Sequence, residues 1–272
     1  MPNVDFLKKY NIWVKNKFHL KQRSDYAPFI KINEISSKGT SHRILGFITK
    51  REHHLFSDLE LKVFLLLDWS LNAKDIREQY PLVLHSTKEI AKNCGAPHPK
   101  LLNGKSHIMT TDFFVDYLHN NEIKKIAIQA KYSGQLDDKR TIEKLEIERR
   151  YWQENNIEWK IVTEKDLPMI KVSNLMLLHE FSTTSPDFDI DTEINTFRNG
   201  IYSTNGQKSI IELTKCIDSS YSLPIGTSLR NLKILLSKKY ILFDTNIPFL
   251  ELTCKDLVIN NELYGYKIFS NK

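Results

Sequence analysis

Asp112, Gln129 and Lys131 are residues whose types and spacing could do chemistry together. Residues 107–117 and 123–132 alternate as the two arms of a β-hairpin that turns at His119-Asn120-Asn121-Glu122. Period-two alternation puts Gln129 and Lys131 on one face of the return arm and Ile128 and Ala130 on the other. A symmetrical turn near Asn120 then sets Asp112 close to Gln129, so a carboxylate, an amide and an ammonium converge on one patch. Asp is disfavoured inside strands, and between Thr110, Thr111, Phe113 and Phe114 it is costly to bury without a partner. A metal cation would supply that partner. The ordinary readings stand beside this one: a strand Asp is commonly an edge or loop residue, Lys131 near a strand end is commonly exposed, and Gln-x-Lys recurs by chance in many chains.

An Asp on one strand and an acceptor-x-Lys on its hairpin partner resembles the layout of metal-dependent nucleases of the PD-(D/E)xK type, which add an earlier helical Glu. Glu60 answers to that position. It closes the run Ser57-Asp58-Leu59-Glu60, which fits a helix capping box, and the cap alone would account for it. Against that, Glu60 shares a helical face with Val63, Phe64 and Leu67, so its carboxylate points toward the domain interior. Hard Mg²⁺, with Mn²⁺ as substitute, takes carboxylate and carbonyl oxygens and keeps sites for water and phosphate. Glu60, Asp112, Gln129 and the main-chain carbonyl of Ala130 could hold it. Lys131 beside it could position or deprotonate the attacking water and steady charge on phosphate.

The elements that must position these groups are legible at intervals. Apolar residues Phe6, Tyr10, Trp13, Val14 and Phe18 predict an amphipathic arm helix over 4–18, and 36–41 a loop. Residues 43–49 read as a strand, the Ser57-capped helix runs to about Trp69, and 75–82 is extended. Residues 86–93 read as another capped helix, stopped by Gly95, Pro97 and Pro99. After the hairpin come a helix over 140–155 and a strand over 159–163, the pattern of a mixed α/β sheet. From 167 the character changes: a polar turn at 182–187, helices at 208–217 and 227–236, and a small hairpin of 240–243 with 249–252, together a helix-turn-helix with a wing. The expected domains are 1–166 and 167–272.

The 272 residues, 41% of them hydrophobic, suffice for a substantial core, and no apolar run approaches the roughly 18 to 20 residues of a membrane span. Nor does the N-terminus read as a secretion signal, so the expected location is cytoplasmic. Cys94, Cys216 and Cys254 match neither a disulfide framework nor a CxxC knuckle. The net charge of +6 suits a polyanionic partner without requiring one; clusters such as Lys15-Asn16-Lys17 and Lys50-Arg51 are commonly solvated surface. His53-His54 and the scattered His85, His98 and His107 lack a zinc-ligand spacing.

A broader resemblance rests on HHLFSDLEL at 53–61, DIREQYPL at 75–82, TTDF at 110–113, AIQAK at 127–131 and LEIERRYW at 145–152. In that order they resemble the landmarks of the TnsA family, the DNA-cutting subunits of heteromeric cut-and-paste transposases. The resemblance covers about 40–165, with weaker signals downstream. It implies a restriction-endonuclease-like core followed by a winged-helix domain, Glu60, Asp112 and Lys131 at the catalytic positions, and Gln129 where other nucleases of the class carry an acidic ligand. Tyr132 departs from the Pro found in many members after the lysine. Glu148 matches another acidic position, but among Glu143, Lys144, Glu146, Arg149 and Arg150 it reads as solvated or ion-paired.

By the same resemblance the chain is a Mg²⁺-dependent DNA endonuclease that hydrolyses the 5′ strand at transposon ends during excision, a step of DNA transposition and recombination. Implied partners are transposon-end DNA, a DDE-type (TnsB-like) transposase subunit that cuts and joins the 3′ ends, and an AAA+ (TnsC-like) ATPase regulator. Arg230, Lys233, Lys238 and Lys239, on or after the second helix of the winged-helix domain, could touch phosphates, or that domain could bind protein instead. Two rival readings are a free-standing restriction or repair nuclease and a non-catalytic assembly module.

Overall fold

A computed structural model of the chain describes residues 5–34, 40–101 and 103–261. Val4 of the expected arm helix and residues 36–39 of the expected loop lie outside these. Contacts divide the chain into two compact units, Met1–Leu167 and Pro168–Lys272. Among the described residues no helix is long and apolar enough to cross a membrane.

The first unit is a mixed α/β structure. The arm helix α1 (Phe6–Lys15) is capped by Asp5, whose carboxylate accepts from the Leu7 and Lys8 amides. Trp13 anchors it, donating to the Ala27 carbonyl at 2.8 Å and meeting Tyr80 and Tyr26 edge-on. The strand expected over 43–49 is shorter and shifted: β1 (His42–Leu45) turns back into β2 (Glu52–Leu55). Asp68 causes the turn, taking the amides of Phe47 and Ile48 at 2.7 and 2.9 Å.

Helix α2 (Asp58–Trp69) starts at Ser57 as expected. It leads to β3 (Ala73–Pro81), and then to α3 (Leu84–Asn93), which begins two residues earlier than expected and has no side-chain cap. The hairpin β4 (Thr110–His119) and β5 (Glu122–Ala130) turns through Asn120 and Asn121 at φ of +50° and +63°, the left-handed pair that a two-residue hairpin loop demands and Asn tolerates. Its ladder runs from His119↔Glu122 to Phe113↔Ile128. Helix α4 (Lys139–Glu154) then carries the chain over to β6 (Glu158–Val162), which pairs parallel to β5. Parallel neighbours need such a crossover. The sheet order is β3-β4-β5-β6, antiparallel except for the last pair.

A core of Leu82, Ile90, Met109, Phe114, Ile147 and Trp152 fastens α3 and α4 to the sheet, with the Phe114 and Trp152 rings stacked at 4.9 Å. His53 serves this architecture. His53 is fully buried between Thr49 Oγ1 at 2.6 Å and Glu78 Oε2 at 2.8 Å. Arg51 closes on the same carboxylate through two bonds of 2.8 and 2.6 Å.

The second unit holds α5 (Met169–Ser182), α6 (Ile190–Ser203), α7 (Ile210–Ser220) and α8 (Thr227–Ser237). Helix α6 was not expected from the sequence; Asp189 caps it, and Ile194 and Phe197 bury its inner face. Asp218 fixes the α7–α8 turn by accepting from the Gly226 and Ser228 amides at 2.7 and 2.8 Å. The expected hairpin needs correction. Strand β7 (Ile241–Phe243) pairs with β8 (Leu257–Ile259), whereas 249–252 begins as a short 3-10 turn after Pro248. That segment is drawn elsewhere: Phe249 is buried, its amide donates to Asn174 Oδ1 at 2.9 Å, and the Leu252 carbonyl accepts from the start of α7 at 3.0 Å.

Candidate active site

Asp112 sits where the β4–β5 ladder gives out. Beyond the pair Phe113↔Ile128, side chains take over the backbone's bonding. The Asp112 amide donates to Gln129 Oε1 at 3.1 Å, and the Ala130 amide donates to Asp112 Oδ2 at 2.9 Å. β5 stays tied to β6 through Ala130↔Val162 and the Lys131 amide, which donates to the Val162 carbonyl at 3.0 Å. Lys131 Nζ reaches to 3.9 Å from Asp112 Oδ2 with its side chain about one-third exposed. The hairpin therefore brings Asp112, Gln129, Ala130 and Lys131 to one strand end.

Glu60 arrives from α2, and its two readings coexist. Its amide donates to Ser57 Oγ at 3.1 Å as the cap requires, while its carboxylate takes the Phe56 amide at 2.9 Å and the Ser57 hydroxyl at 3.1 Å. The same carboxylate is only 6% exposed and feels the charge of Asp112. Burial first, and Asp112 second, push the Glu60 carboxyl up to about 8. Burial likewise raises Asp112, against the pull of Lys131, and Asp112 in turn raises Lys131 so that it stays an ammonium. Two carboxylates thus face each other in a setting where a second negative charge is unfavourable.

Two neighbours were not foreseen. Gln79 of β3 donates toward Glu60 Oε2 and Asp112 Oδ1 at 3.5 and 3.4 Å and accepts from Thr110 Oγ1 at 3.0 Å. Its φ of +50° is the left-handed conformation that a long side chain seldom adopts, strain of about 1–2 kcal/mol located beside the two carboxylates. Glu148 corrects the expectation of a solvated or ion-paired residue. It is 3% exposed, and its Oε1 accepts from Thr111 Oγ1 at 2.8 Å and Trp159 Nε1 at 3.0 Å. Burial raises its carboxyl to about 8 as well. The signal that could have found it is local: Glu148 shares its helical face with Leu145, Tyr151 and Trp152, the same pattern that turned Glu60 inward.

Among the described residues no three His, Cys, Asp or Glu side chains form a ready-made metal cage. The groups that could serve a cation are instead the two carboxylates, the Gln129 amide oxygen and the Ala130 carbonyl. That suits a hard divalent cation, and a double positive charge relieves the repulsion that raises Glu60 and Asp112. Asp112, Gln129 and Lys131 also line a cavity of about 450 Å³ whose far wall is α4.

Comparison with known proteins places the chain in a family. Residues 70–164 match the family described as TnsA-like endonuclease N terminal, and 166–245 match TnsA endonuclease C terminal. The chain is 38% identical over 236 residues to the transposon Tn7 transposition protein TnsA of Escherichia coli, covering 87% of this chain and 85% of that relative.

Proposed function

Because this chain belongs to the TnsA family and is a DNA endonuclease subunit of a transposase, we propose that it hydrolyses the 5′ strand at each transposon end, with Glu60, Asp112 and Lys131 as catalytic residues. The observation that carries this reading is the pair of buried, mutually repelling carboxylates Glu60 and Asp112 set beside the Lys131 ammonium. In it, Glu60, Asp112, Gln129 and Ala130 hold Mg²⁺, or Mn²⁺ in its place. Bound there, the cation supplies Lewis-acid polarisation of the phosphate and a lowered water pKa.

The chain's own groups do the rest. Lys131 donates hydrogen bonds to a non-bridging phosphate oxygen and orients the attacking water, held in place by Asp112. Gln129 keeps Asp112 aimed by taking its amide, and Gln79 spans the two carboxylates from β3. Glu148, pinned by Thr111 and Trp159, lines the same cavity as Lys131 as a carboxyl that burial keeps largely protonated near neutral pH. The β3-β4-β5-β6 sheet with α2 and α4 supports a restriction-endonuclease-like core within the domain 1–166.

In the domain 167–272, α7, its Asp218-fixed turn, α8 and the β7–β8 ribbon support a winged-helix reading. Its cations engage their own chain: Arg230 pairs with Asp187 at 2.8 Å, Lys233 lies 5.2 Å from the centre of the Phe181 ring, and Lys238 donates to the Ser182 carbonyl at 3.0 Å. The turn, by contrast, exposes Tyr221, Leu223 and Ile225, the last at 96%. That balance favours a protein partner, an AAA+ (TnsC-like) regulator, over DNA on this surface, with the DDE-type (TnsB-like) subunit supplying end recognition.

Strand-resolved cutting of labelled transposon-end DNA tests the assignment. The expected result is 5′-strand cutting that needs Mg²⁺ and both partner proteins. Equal cutting by the chain alone would make it a free-standing nuclease, and normal assembly and 3′ cutting without any 5′ cut would make it an assembly module.

A further inference from the structure

The cavity beside the candidate active site has two unlike ends. Asp112, Lys131 and Glu148 line one; Lys100, Arg140 and Lys144 line the other. Helix α4 joins them, because Arg140, Lys144 and Glu148 recur at every fourth position and so form one stripe along its length. Eight residues at 1.5 Å each make that stripe about 12 Å long. His107 and His98, on the segment facing α4, feel the cations from both positions: Lys144 depresses His107 after burial does, and Arg140 acts likewise on His98. Pro99, Lys100 and His107 line the cavity with these cations.

Arg140 is built into this wall rather than loose upon it. Its Nη1 donates to the Pro97 carbonyl at 2.6 Å and to Glu143 Oε2 at 2.9 Å, which fixes the guanidinium plane. Both bonds use the same nitrogen, and a guanidinium has five donor hydrogens over three nitrogens. Pairing along the helix occurs on both faces: Arg140 closes on Glu143 at 2.9 Å on this one, and Arg149 and Arg150 close on Glu146 at 2.7 and 2.6 Å on the other.

Resting on the nuclease reading, we propose that Lys100, Arg140 and Lys144 form a second phosphate subsite. It holds the cleaved strand by a phosphate roughly three nucleotides from the scissile one, given about 12 Å of wall and about 3.4 Å of advance per nucleotide. The subsite reads backbone charge and not base sequence, so it sets the path of the strand through the cavity and delivers the scissile phosphate to Asp112 and Lys131. Its three residues are positioning residues, since they touch substrate away from the bond that breaks.

The test uses the full chain with its partner proteins. End duplexes carry a single uncharged methylphosphonate at each position within about four nucleotides on either side of the cut, each competing with the unmodified end in the same tube. For the wild type, one position away from the scissile bond is expected to lower relative cutting about tenfold, the worth of a charge-assisted phosphate contact. In the Arg140→Ala/Lys144→Ala variant that position should fall to within about twofold of the unmodified end, while Arg149→Ala, on the outer face, keeps the wild-type ratio. Lys144→Gln alone should show a partial loss of discrimination, which covers the case of a double variant that folds poorly. A wild-type profile flat away from the scissile phosphate, or one equally peaked in the double variant, would overturn the subsite. Failure of the nuclease reading looks different: Asp112→Ala would then cut every duplex as fast as the wild type.

Discussion

Asp112→Asn is expected to stabilise the metal-free protein and at the same time to lower 5′-strand cutting by about a thousandfold or more. The two effects share a cause. Asp112 is 6% exposed, is raised by burial and shares its surroundings with Glu60, itself pushed up to about 8. A carboxyl whose folded pKa lies above its unfolded value keeps protons in the folded state that the unfolded chain has released. Folding stability therefore declines as pH rises from near 4 through about 8. Replacing Asp112 by the uncharged amide removes the repulsion on Glu60 and flattens that decline, while the Asn carbonyl can still accept from the Ala130 amide. A gain of about 1 kcal/mol would move the thermal midpoint of the first unit by roughly 2–4 °C.

Mg²⁺ should reverse the order, raising the wild-type midpoint, most of all at alkaline pH where the carboxylates need no deprotonation, and leaving the variant nearly unmoved. Thermal melts at about pH 6 and about pH 8.5, with and without magnesium, check this. A variant less stable than wild type in the metal-free state would contradict the account.

Glu78→Ala is expected to cost about 3–5 kcal/mol. Its fully buried carboxylate takes two bonds from Arg51, one from His53 and one from the His54 amide at 3.2 Å. Burial opposes the ionised form, but His53 and then Arg51 outweigh it and hold Glu78 well below the usual carboxylate range. A depressed folded pKa contributes stability that is complete above about pH 4.5 and is lost only as pH falls through the folded value, here in strongly acid solution. Truncation leaves the Arg51 charge in a site with 9% exposure without its ion-pair partner, and loosens β2 from β3 just before Ser57 and Glu60. Urea unfolding at neutral pH measures the loss, and a change below about 1 kcal/mol would show that the network is not what binds these strands.

How much of this was legible depends on whether the signal was local. The α2 start could be read because Ser57 and Glu60 carry the capping chemistry themselves, and Asn120-Asn121 announced the hairpin because few residues tolerate its left-handed turn. With the turn located, counting back along both arms placed Asp112 opposite Gln129, and the bond between them is there. Glu148 was misjudged because the charge density of α4 as a whole outweighed the apolar neighbours on one face. Gln79 had no readable signature: its importance comes from a backbone twist and from meeting Glu60 and Asp112, 19 and 33 residues away. The Arg51–Glu78–His53 cluster was hidden for the same reason. In the second unit β8 is only three residues long, and Phe249 and Leu252 looked strand-like because they are apolar, although their backbones bond to α5 and to the start of α7.

The central claim is that Glu60, Asp112 and Lys131 form one hydrolytic centre. Single-turnover cutting of the 5′ strand by wild type and Lys131→Ala, with assembly of the protein–DNA complex scored in the same reactions, tests it most directly. The account predicts normal assembly and a cutting rate reduced by at least about a hundredfold in the variant, the loss expected when a charge poised on the transition state is removed. Unchanged 5′ cutting by Lys131→Ala would move the chemistry away from this strand end.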